Sequence, residues 1–210
     1  MLTWYVIAQD GAHSVPMSHP MAAHEWPEFT QLALRVDSDT AFLIVEAFLS
    51  QHELLSEDST PQSHFIHITQ QGEWALLAEP GIDVDARVLQ QELVEAMIEL
   101  FALDAIFVAN DDASNLLQLD VFEAGQPVLR WQDATDPMIE SIALTFHDEG
   151  RCTFEDARAF ALRALELPED TPVLDRYSFI EFMLHHRALH TLAPQLEGLP
   201  ITHALRVAQR

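Results

Sequence analysis

HFIHITQQGEWALL, residues 64–77, decides how this chain is read. Ile66 and Ile68 alternate with polar neighbours, Gln70 to Glu73 with Gly72 supply a turn, and Trp74 and Leu76 then fall together on one face. Alternation of period two, broken by a glycine-containing turn, predicts a β-hairpin. LLQLDVFEAGQPVLRW, residues 116–131, repeats the pattern, with Leu117, Leu119 and Val121 on one face and a turn at Glu123 to Gln126. Between the two hairpins the period changes. Leu89, Leu93, Met97 and Leu100 or Phe101 recur at helical spacing and predict a helix over 84–102.

Working outward, LTWYVIAQ (2–9), QLALRV (31–36) and AIFVA (105–109) read as strands. Asp37 to Thr40 offer N-caps for a helix running to about Leu55, with Leu43, Ala47 and Phe48 among its apolar residues. From about residue 134 the alternation stops, and helices are expected at 136–147, 154–167, 173–191 and 201–209. The expected fold class is α+β: an antiparallel or mixed sheet with two β-hairpins and packed helices, followed by a helical C-terminal part. The expected division is an acidic α+β part, 1–134, and a helical part, 135–210, packed on it as one compact unit.

Charge is the most informative quantity. The chain of 210 residues has a formal net charge of −24 and no lysine, so every fixed side-chain cation is an arginine. Up to residue 135 there are 22 acidic residues against three arginines, Arg35, Arg87 and Arg130. Such a field repels nucleic acid and anionic membranes and steers basic partners inward. No apolar run reaches the length of a membrane span, and a single cysteine, Cys152, excludes an internal disulfide. A soluble, cytoplasmic chain is the expectation.

Several constellations carry possible chemistry. HSVPMSHPMAAHEW (13–26) gathers His13, Met17, His19, Met21 and His24, ligand types suited to a late transition metal, but Pro16 and Pro20 make it a loop first. His186 and His190 share a helix face without a third ligand nearby, and His64 and His67 fall on opposite faces of a strand. Cys152 beside Arg151, with His147 five residues earlier, is the one candidate for a Cys–His pair; a lone cysteine is ordinarily an inert small apolar residue. Glycine-rich phosphate loops, nucleophile elbows, HExxH and EF-hand patterns do not occur. No catalytic residue, metal ligand or cofactor is therefore assigned.

The acidic ridge on the predicted helix is more telling. Glu92, Glu95 and Glu99 follow three-and-four spacing with no lysine or arginine at i+3 or i+4, so they repel one another. Asp111 and Asp112 in the NDDASN loop add two carboxylates. These five are the candidate partner-binding residues. The expected function is a non-catalytic acidic protein that captures a basic protein partner, such as an inhibitor neutralising a toxin or a chaperone escorting an effector. The alternatives are an enzyme built on Cys152 and His147 or on a histidine-bound metal, and a scaffold subunit. A homodimer through Phe179, Ile180, Met183 and Leu184 belongs to the last reading.

Overall fold

The computed structural model describes residues 29–55, 63–80, 87–111, 116–134 and 200–208, together with Ala159, Ile180 and Leu184. Seven strands and two helices are delimited among the described residues: β1 (Phe29–Leu34), α1 (Ser38–Gln51), β2 (Ser63–Gln71), β3 (Trp74–Ala78), α2 (Gln91–Phe101), β4 (Ala105–Asp111), β5 (Leu116–Glu123), β6 (Gln126–Ala134) and β7 (His203–Ala208). They form one sheet in the order β6-β5-β4-β1-β3-β2-β7, with every pairing antiparallel. Its centre, β4-β1-β3-β2, holds two interleaved crossovers: α1 links β1 to β2 around β3, and α2 links β3 to β4 around β1. That is the split βαβ pattern termed ferredoxin-like, extended by β5 and β6 on one side and β7 on the other.

The expected fold class is corrected accordingly. The described chain is dominated by a seven-stranded antiparallel sheet with two short helices, not a smaller sheet followed by a helical C-terminal part. The clearest reversal is 201–209, expected as a helix and found as β7. β2 decides it: Ile66 pairs with Leu205 and His64 with Val207, while Thr202 donates both its N–H and its hydroxyl to the Ile68 carbonyl at 2.9 Å. A ladder of backbone hydrogen bonds overrides a weak local preference. The strand expected at 2–9 and the helices expected at 136–147, 154–167 and 173–191 lie outside the described residues, save three positions. Two of those, Ile180 and Leu184, are buried and so present no apolar surface for a dimer.

Both hairpins close through two-residue turns. In β2–β3, Gly72 alone has positive φ (58°), at the first central position, as a type II′ turn requires. In β5–β6, Ala124 (48°) and Gly125 (82°) both do, the signature of type I′. Pro127 is tolerated in β6 because that strand ends the sheet order and donates to one neighbour only. A register shift at Val121 and Phe122 absorbs the extra residue, Val128.

Alternation sends Leu32, Leu34, Ala75, Leu77, Ile66, Ile68, Phe107 and Leu205 to one face, where the buried residues of both helices meet them. The other face, including Leu76, Ile106, Val108, Leu119 and Trp131, is equally buried. β1 and β3 are therefore buried at every position, which is why FTQLAL and WALLA show so little polarity.

Helix limits follow the caps. Asp37 accepts from Thr40 N and Thr40 Oγ1, both at 2.8 Å, and starts α1. α2 begins at Gln91, seven residues later than its periodicity suggests, because Val88 and Leu89 are tied to the sheet. It ends in a Schellman motif: Leu103 N donates to Ile98 O (3.0 Å), Ala102 N donates to Glu99 O (3.2 Å), and Ala102 takes the left-handed conformation usually given to glycine. Leu43 and Leu100, expected on buried faces, are 62% and 60% exposed; the buried side of α1 is Ala41, Val45, Phe48 and Leu49 instead.

Candidate functional site

The strand directions give the sheet two distinct ends. Leu34 pairs with Ala105, so α1 leaves the sheet and α2 returns to it side by side, and Arg35 N donates to Asp104 O at 2.9 Å between the two links. The β2–β3 and β5–β6 turns lie at the same end: Arg35 Nη2 reaches Glu73 Oε2 at 3.0 Å, and Ala124 N donates to Asp104 Oδ1 at 2.8 Å. This turn end carries Asp37, Asp39, Glu73, Glu99, Asp104 and Glu123 against one described arginine, Arg35, which is half exposed. His203 meets Asp39 at 2.7 Å, joining β7 to α1. The Thr40 amide and hydroxyl hold the Asp37 carboxyl below its ordinary value of 3.8.

At the opposite end three charged or titratable groups are inside. Glu79, one residue past β3, accepts from Val88 N through Oε1 (2.9 Å) and from Leu89 N through Oε2 (2.7 Å), and His64 Nε2 donates to Oε1. His64 and Glu79 are buried, as is Arg87, whose Nη1 donates to Thr30 Oγ1 at 3.0 Å. The pair fastens the segment before α2 to β2 and β3. Sequence reasoning passed over it, although parity held the signal: Glu79 falls on the same face as Ala75 and Leu77, where a carboxylate needs donors.

The acidic ridge divides once its neighbours are known. Glu92 and Glu99 are exposed and have no ion-pair partner among the described residues. Glu95 is different: Arg130 Nη2 of β6 reaches its Oε2 at 2.9 Å and Gln91 Nε2 donates to its Oε1 at 2.6 Å. Arg130 also lies over the Phe122 ring, 5.9 Å from its centroid. The cation absent from Glu95's own helix comes from the sheet, so this carboxylate locks α2 in place. Asp111 is the last residue of β4, paired with Leu116; its side chain and the whole of Asp112 lie outside the described residues.

His13, Met17, His19, Met21 and His24, the Cys152 and His147 pair, and His186 with His190 also lie outside them. Among the described residues no group of three or more histidine, cysteine, aspartate or glutamate side chains is placed to hold a metal ion. Nor does any described helix have the length and apolarity to cross a membrane. No protein family, curated protein or solved structure matches the chain.

Proposed function

We propose that this chain is a non-catalytic binding protein whose acidic surface captures a basic protein partner, as an inhibitor of a toxin or an escort of a secreted effector does. The observation that carries the reading is the helical layer. α1 and α2 hold Asp39, Glu46, Glu92, Glu95 and Glu99 and no lysine or arginine, and Glu95 alone among these carboxylates is met by an arginine of the described chain. Like charges that are left unpaired cost a helix a few tenths of a kcal/mol per pair, and a cationic partner removes that cost on binding. The net charge of −24 adds a long-range field that speeds encounter with such a partner.

The test is a pull-down from lysate of the native host with the full chain as bait, at low and at high salt. A single basic protein retained at low salt, weakened at high salt and weakened again by Glu92→Gln with Glu99→Gln, is the expected result. Retention of no basic protein, or retention indifferent to both salt and substitution, overturns the reading.

A further inference from the structure

We propose that the turn end of the sheet docks a cationic amphipathic segment of the partner, taking its apolar side chains on Leu43 and Leu100 and its basic ones on Glu99 and on Asp39 and Glu73, whose pairs with His203 and Arg35 leave both carboxylates largely in solvent. This rests on the reading of the chain as a binder of basic proteins, and names the face and the chemistry of what that face receives. Leu43 lies in the first half of α1 and Leu100 in the last turn of α2. The Leu34–Ala105 pairing and the Arg35–Asp104 hydrogen bond bring those two helix ends to the same end of the sheet, and the helices touch.

Both leucines stand among the most exposed large apolar side chains of the described chain; leucine is a good helix former, but at a solvent position lysine, glutamate, glutamine or alanine serve the helix about as well without exposing an apolar side chain. Their solvent-facing neighbours on the helices are Asp39, Ala47, Ala96 and Glu99, so each leucine is flanked by small or acidic residues that leave it accessible. A leucine left in water forgoes the favourable free energy of burying its side chain. Charge complementarity selects the occupant. Six carboxylates against one arginine repel a second copy of the same face and attract a segment carrying lysine or arginine beside its apolar residues.

The experiment is an NMR titration of the full chain at about physiological salt, where surface fields are screened beyond about 8 Å. Two synthetic peptides of equal positive charge serve as probes: an amphipathic leucine–lysine helix, and the same sequence with serine for every leucine. Saturable amide shifts from the leucine–lysine peptide, centred on residues 39–43, 73 and 99–104, are expected. Leu43→Ser with Leu100→Ser, both exposed and so compatible with an unchanged fold, is expected to weaken binding about tenfold while leaving the free chain's spectrum otherwise intact.

If the serine–lysine peptide binds as tightly, the basic-partner reading stands and the apolar docking face is overturned. Shifts centred away from the turn end, or undiminished binding by the leucine double variant, overturn it as well, as does a self-association that the double variant abolishes. Binding of neither peptide removes both the docking face and its cationic occupant.

Discussion

The two ends of the sheet use the same kinds of side chain for opposite purposes. At one end Glu79, His64 and Arg87 are buried, and both Glu79 oxygens accept backbone amides. At the other, Arg35, Glu73 and Asp104 meet in solvent, with the Arg35 and Glu73 side chains 51% and 75% exposed. A buried carboxylate holds its neighbours because its loss strands their donors, whereas an exposed pair is screened and exchanges freely with water. The first end ties its charged groups into the fold, and the second leaves its carboxylates in solvent.

The largest expected effect is at Glu79. Glu79→Ala leaves Val88 N, Leu89 N and His64 without their acceptor and is expected to lower unfolding stability by about 3–5 kcal/mol in a urea titration. A loss below about 1 kcal/mol would show that the two ends do not differ as described. Gly125→Ala comes next: at φ 82° an added Cβ meets Ala102 Cα at 3.0 Å and Ile98 O at 3.2 Å, both backbone atoms, and a cost of about 1–3 kcal/mol is expected. Ala102→Gly has the opposite sign. Relief of left-handed crowding outweighs the added chain entropy by about 0.5–1 kcal/mol, read as a higher urea midpoint.

Arg35→Ala is the matched probe of the exposed end. It is expected to cost less than about 1 kcal/mol, and less still in high salt. The smallest effect is one of pH. Because the folded state holds the Asp37 carboxyl below 3.8, its stabilisation is present above that value and is lost as pH falls through the lowered folded one. Asp37→Asn keeps an acceptor for the cap and is expected to flatten that part of the acid-unfolding curve; an unchanged curve would remove Asp37 from the account.

What the sequence made legible follows the same division between local and distant causes. The hairpins were visible because their turns and alternation are local: Gly72 and the Ala124–Gly125 pair sit where the reversals occur. The face of α2 was visible through Leu93 and Met97, but its start was not, since Gln90 makes no side-chain cap bond and the tether to Glu79 is tertiary. β7 was misread because six residues of HALRVA are too few for periodicity to choose between helix and strand, and their partner β2 lies more than 130 residues away in the chain. Of the candidate site, the net acidity was legible and the assignment of individual carboxylates was not. Nothing near Glu95 in sequence announces Arg130, and nothing in the helical repeat says that Leu43 and Leu100 face solvent.

In the proposed division of labour, the turn end receives a basic partner and the buried end holds the fold. Its most direct test is retention of a basic host protein by the chain carrying Leu43→Ser, Leu100→Ser, Glu73→Gln and Glu99→Gln together. Loss of that protein from the pull-down, with the urea midpoint shifted only slightly, is the predicted result; retention equal to that of the unmodified chain would contradict it.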